Sequence, residues 1–184
     1  MTEFSKMIFN NQELLKIKLS DFLQTPQKLY IYTHAAQKFF KNDRLNFLPS
    51  WSWWGFFGGG WFFIYRRLYF EGFLLVFLSL LLGITSFYPL LEDFSFYASL
   101  GLCFYSALRA KYAVIKRFVF LLDSKADLLK CGGVANWAIY VGIFVTILAL
   151  ILAFVAGVIF GFLEFFNENF ELKEYLPAEP NIDI

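Results

Sequence analysis

Charge falls along this chain in blocks. Residues 45–65, 72–91, 94–108 and 131–163 contain no lysine, arginine, aspartate or glutamate, and nearly all the charge lies between or outside them. The run 72–91 has the roughly 20 apolar residues that one membrane-spanning helix needs. The run 94–108 is shorter and spans if Ala110 and Tyr112 join it while Arg109 and Lys111 extend their charged heads to the interface, giving a predicted helix over 94–112. Only Glu92-Asp93 separates these two segments, so they are expected to form a tight antiparallel hairpin. As a helix, the run 131–163 would measure roughly 50 Å, more than a hydrocarbon core of about 30 Å. A span over 134–163 therefore leaves its first turns outside or tilts strongly.

The run 45–65 has a different character. It holds four of the five tryptophans and the triplet Gly58-Gly59-Gly60. Trp51, Trp54, Gly58, Trp61 and Tyr65 step by three and four, which puts them on one helical face. The turn signal Leu48-Pro49-Ser50 shortens the run, the glycines weaken a helix, and tryptophan favours the headgroup zone. A re-entrant or interfacial helix fits better than a full crossing.

In residues 1–44, Thr25-Pro26 reads as a helix start, with Thr25 capping and Pro26 at the first position. Leu29, Tyr32, Ala36 and Phe39 then share a side, with Lys28, Lys38, Lys41 and Arg44 nearby. This pattern suits a helix on an anionic membrane surface, and equally one packed on the cytosolic ends of a bundle. Ser124 and Asp127 predict a short helix ending at Gly132-Gly133. Residues 164–184 form an acidic tail with Pro177 and Pro180, expected to be flexible. The fold class is thus an all-α integral membrane bundle. It has a helical region at 1–44, a membrane domain at 45–163 with three spanning helices, and the tail.

Composition agrees. Aliphatic and aromatic residues make up 59% of the chain and charged residues 17%, against about 25% charged in an ordinary soluble domain. Lysine and arginine set the orientation. Residues 1–50 hold seven against four acids, 109–130 six against two, and the tail one against six. Positive segments stay in the cytoplasm. Three crossings then put the N-terminus, Arg66-Arg67 and 109–130 inside and the C-terminus outside. A full crossing by 45–65 would force the basic N-terminus out.

Close packing replaces most of the hydrophobic drive between helices in lipid. Ala149, Ala153, Gly157 and Gly161 form a small-residue stripe, matched by Ser79 and Gly83 and by Ser99, Cys103 and Ala107. Such a face serves packing within the bundle, a homo-oligomer or a membrane-protein partner. Trp61, Tyr65, Arg66 and Arg67 are the candidate contacts for a lipid headgroup or other anion, since guanidinium grips phosphate in a bidentate way; the plainer reading of the two arginines is a topology anchor. Glu71, four residues after Arg67, is placed to pair with it. Asn136 is a candidate for bonding across helices, and Trp137 and Tyr140 for interface anchors. His34 lacks the partners a metal site requires. Cys103 and Cys131 give neither a disulfide framework nor metal spacing.

No glutamate, aspartate, lysine, arginine or histidine falls mid-span, where ion and proton carriers usually place such a group. No paired-carboxylate, Ser-His or Cys-His constellation is visible, and the glycine triplet lacks the lysine of a phosphate loop. The reading is therefore of a protein with no catalytic residues, cofactor or metal, whose partners are the bilayer and a second membrane chain, with no nucleic acid.

Leu29-Tyr30-Ile31-Tyr32, Phe39-Phe40, residues 51–57 (WSWWGFF) and residues 61–69 (WFFIYRRLY) together resemble the domain of unknown function 2628 family of small bacterial inner-membrane proteins. Ser52 stands where that pattern often has asparagine, Arg67 where it has lysine, and the glycine triplet is unusual for it. The strong match covers about a quarter of the chain. The resemblance implies a location in the bacterial inner membrane, where the outside C-terminus of the threading above would be periplasmic, and it brings no known reaction, ligand or partner. The expected function is a scaffold, accessory or modulatory subunit; the alternative is a small transporter or channel subunit in an oligomeric pore.

Overall fold

The computed structural model describes residues 1–86 and 88–174, with 167–174 by backbone alone. The described residues are mostly helical, and the chain divides into two units, Met1–Ile139 and Tyr140–Ile184. The elements are α1 (Glu3–Asn10), α2 (Gln12–Leu23), α3 (Leu29–Phe39), β1 (Phe40–Lys41), β2 (Arg44–Leu45), α4 (Trp53–Tyr65), α5 (Tyr69–Thr85), α6 (Glu92–Asp123), α7 (Leu128–Cys131) and α8 (Trp137–Glu174).

The N-terminal region is folded by local rules. Thr2 caps α1, and Asn11 separates α1 from α2 by accepting the amides of Glu13 and Leu14 at 3.1 and 3.2 Å. A 3-10 turn at Pro26–Lys28 leads into α3. Pro26 opens that turn as expected, but Thr25 does not cap it: its hydroxyl donates to the Leu23 carbonyl at 3.2 Å. Tyr32, Ala36 and Phe39 are buried on the predicted face of α3. After it, Asn42 and Asp43, both at positive φ, turn a minimal hairpin pairing Phe40 with Leu45 and Lys41 with Arg44.

These helices cover the second half of α6. Ile8, Phe9, Leu15, Leu19, Phe22, Leu23, Ala35, Ala36 and Phe39 form one core with Ala110, Ala113, Val114, Ile115, Phe118 and Leu122. The Phe118 ring lies 5.3 Å from that of Phe22 and 6.1 Å from that of Phe9. Through this face α3 packs against α6. The first half of α6 differs, exposing Phe94, Phe96, Tyr97, Leu100 and Phe104.

Two boundaries differ from the sequence expectation. The helix expected over 72–91 begins at Tyr69 and stops at Thr85. Pro89 lacks a backbone N–H and disfavours a helical Tyr88; it opens a second 3-10 turn, Pro89–Leu91. The helix expected over 94–112 runs unbroken from Glu92 to Asp123, because no glycine or proline interrupts residues 102–123. α5 and α6 are neighbours, and the Ser95 hydroxyl donates to the Leu82 carbonyl at 2.5 Å.

The single aromatic face expected from Trp51 to Tyr65 does not form. Ser52 caps α4, so Trp51 precedes it. Gly59 then breaks the helix at φ 46°, ψ −131°, a backbone conformation that glycine reaches without a Cβ clash. α4 packs against both α5 and α6. A Cβ on Gly72 would stand 2.5 Å from Ile64 Cγ1 and 3.0 Å from the Gly60 carbonyl oxygen, so α4 and α5 approach there almost backbone to backbone.

α7 is capped by Asp127, which accepts the Leu129 amide at 3.0 Å, and ends at Gly132 as expected. α8 contains Trp137–Phe166, the one described helix long and apolar enough to cross a membrane; α5 is a shorter apolar helix. α8 continues to Glu174. The first eleven residues of the acidic segment are therefore helical, and 175–184 lie outside the described residues. Along α8, Ala149, Ala153, Gly157 and Gly161 are exposed.

Candidate functional site

Trp61, Tyr65, Arg66 and Arg67 sit at the end of α4, but the structure does not aim them at a common point. Arg67 has φ 59°. It closes α4 in a Schellman turn in which the Leu68 amide donates to the Phe63 carbonyl and the Arg67 amide to Ile64, both at 2.8 Å. This left-handed step sends the two arginine side chains apart.

Arg66 turns inward and is 4% exposed. Its guanidinium carbon lies 5.2 Å from the Tyr32 ring centre and 5.6 Å from that of Tyr65. Two aromatic faces thus hold the cation, while Nε and Nη2 are buried without a hydrogen-bond partner. Lys28 lies close by, its Nζ 5.0 Å from the Trp54 ring centre. Burial, and next the Arg66 charge, holds Lys28 below the ordinary lysine value. Burial raises the Tyr32 phenol against the opposing pull of Arg66.

Arg67 is spent on the protein: Nη1 donates to the Lys130 carbonyl at 2.9 Å. The ion pair with Glu71 expected from their spacing is absent among the described residues, where the ion pairs found involve other groups. Arg117, on the second half of α6, completes the junction. Its Nη1 donates to the Arg66 carbonyl at 2.7 Å and its Nη2 to the Cys131 carbonyl at 2.9 Å. The Ala135 amide donates to the Tyr65 carbonyl at 2.8 Å, and Trp61 and Tyr65 pack beside Ile64, Ala135 and Ala138. One fork-shaped side chain therefore joins the end of α4 to the end of α7. The sequence reading missed Arg117, since its role depends on carbonyls distant in the chain.

The other candidates are scattered. His34 is exposed on α3, Asn136 is exposed before α8, and Cys103 and Cys131 are unpaired. No group of three or more metal-ligating side chains occurs among the described residues.

A second concentration of polar groups lies in a cleft of about 670 Å³ between α5 and α6. Phe70, Leu74, Leu75, Leu78 and Leu102 form its apolar walls, and Glu71, Arg109 and Lys116 its charged part. Arg109 Nη1 donates to the Tyr105 hydroxyl at 2.5 Å, and its guanidinium lies 5.5 Å from that ring centre. Its Nε is buried without a partner.

No family model matches the chain, and no curated protein or solved structure matches it.

Proposed function

We propose that this chain is a multi-pass, non-catalytic protein of the bacterial inner membrane, acting as a scaffold or accessory subunit with its N-terminal helices in the cytoplasm. The observation that carries this reading is the position of the core. Apolar burial is concentrated where α1–α3 meet the charged half of α6. By contrast, the charge-free runs expose phenylalanine and leucine on many sides, including Phe73, Phe77, Leu80, Leu81 and Ile84 of α5. Water penalises such exposure, whereas hydrocarbon does not.

The antiparallel α5–α6 hairpin also brings Arg66-Arg67 and the second half of α6 to the same end, as the positive-inside assignment requires. In this reading α5, the first half of α6 and α8 are the three spans, and the broken α4 re-enters or lies at the interface. The junction arginines then fix the cytoplasmic ends of the helices. The bacterial inner-membrane part of this reading is what the resemblance to the 2628 family implies.

The test is membrane insertion and threading of the full chain. Sedimentation with carbonate-washed membranes is expected, with introduced cysteines at Ser20 and Lys125 labelled from the cytoplasmic side and one at Glu92 from the other. Recovery in the carbonate supernatant would overturn the reading.

The break at Gly59 favours one alternative, a small transporter or channel subunit, because interrupted helices build such sites. Reconstituted protein would then carry a solute or ion flux that Gly59→Leu abolishes.

A further inference from the structure

The geometry points to the α5–α6 cleft as a binding site for one glycerophospholipid with a phosphate and a primary amine in its headgroup. This inference rests on the membrane-spanning reading proposed for the chain and adds a ligand that reading does not contain.

The cleft is graded in polarity. Leu82 and Ser95 meet near the closed end of the hairpin. Since the two helices run antiparallel, Leu78 of α5 lies on the Leu102 side of the cleft, and Glu71 lies toward Tyr105 and Arg109. Leu102, Tyr105, Arg109 and Lys116 recur on α6 at steps of three, four and seven, which keeps them on one face. An acyl chain suits the leucine end and a headgroup the other. The volume of about 670 Å³ falls within the usual range of small-molecule sites, roughly 300–1,000 Å³.

The charges narrow the headgroup. Arg109 is held against Tyr105, with the buried donor Nε unpaired, and Lys116 lines the same cleft. Among the described residues, neither forms an ion pair with a carboxylate. Two cations beside an apolar groove at the cytoplasmic face suit a lipid phosphate. A purely anionic headgroup would leave Glu71 facing more negative charge. An amine placed next to the phosphate gives Glu71 an opposite charge and completes the set.

Full-length protein extracted from carbonate-washed membranes in mild detergent is incubated in turn with micelles containing phosphatidylethanolamine, phosphatidylglycerol or phosphatidylcholine, and retained lipid is read by native mass spectrometry. Phosphatidylethanolamine is expected to be retained best. The double variant R109Q/K116Q is expected to lower retention by about tenfold or more, in keeping with the loss of charge-assisted contacts. Glu71→Gln is expected to weaken phosphatidylethanolamine and strengthen phosphatidylglycerol. Leu102→Trp, which fills the groove, is expected to expel all three, and Lys125→Gln, away from the cleft, to leave retention unchanged. Equal retention of the three lipids by the wild type, or retention unaffected by both R109Q/K116Q and L102W, would overturn the site. Preferred phosphatidylglycerol binding would overturn the amine assignment. Failure of the wild type to sediment with membranes would instead overturn the membrane reading, so the two failures are distinct.

Discussion

The two halves of α6 belong to one continuous helix and have opposite surroundings. From Phe94 to Phe104 the uncharged half presents large apolar side chains outward. In the charged half, Ala110, Ala113, Val114, Ile115, Phe118, Val119, Leu121 and Leu122 are buried in the core that α1, α2 and α3 help to form, and Phe120 on the opposite side stays exposed. The greasier half is thus the less buried. Charge separates them: Lys111, Lys116 and Asp123 give the second half sides that favour water, so its remaining face seeks a protein core. The first half has no such division, and lipid can solvate all of it.

The most severe way to break this contrast is Phe118→Ala. Phe118 is fully buried between Phe9 and Phe22, and its truncation is expected to cost about 3–5 kcal/mol. Hydrogen exchange should accelerate in α1–α3. Phe104→Ala, on the exposed half, is expected to leave those amides unchanged. Arg117→Met comes next. Its loss removes two charge-assisted bonds to the carbonyls of Arg66 and Cys131, which for a half-buried side chain together contribute about 1.5–3 kcal/mol. Thermal unfolding should show a lower midpoint, and Arg117→Lys, which lacks the fork, should recover only part of it.

Lys125→Gly sharpens the contrast from the other direction. Lys125 ends α6 at φ 52° and is exposed, so glycine there should relieve left-handed strain and stabilise the chain by roughly 0.5–1 kcal/mol, measured by denaturant midpoint. The smallest effect expected is that of pH at Asp123. Burial pushes this carboxyl up, but the Thr2 amide and the Ser5 and Thr2 hydroxyls outweigh it, so the net value lies below the ordinary one. Its stabilisation is therefore full above the unfolded carboxylate range, about pH 4, and is lost as pH falls through the lowered folded value. Exchange at residues 1–10 should rise in acid, and Asp123→Asn should abolish that dependence.

Features set by neighbours in sequence were readable in advance: the buried face of α3, the Asp127 cap and the stop at Gly132. The end of α5 was legible in principle, since Pro89 alone argues against a helix through Tyr88, but the uncharged run masked it. The Arg66-Arg67 dipeptide was not legible. Adjacent cations read as a pair, and only the left-handed backbone at Arg67 separates them. Where each one goes then depends on Tyr32 and on the carbonyl of Lys130, contacts that no local pattern encodes. The same holds for Glu71, which spacing assigns to Arg67 and the fold places in a cleft with Arg109 and Lys116.

An uninterrupted α6 has a mechanical corollary. A rod without a joint cannot be turned at one end alone, so torque applied near Phe96 reaches Phe118 in the same sense. The Arg117 fork would pass that rotation on to Arg66 and Cys131 together.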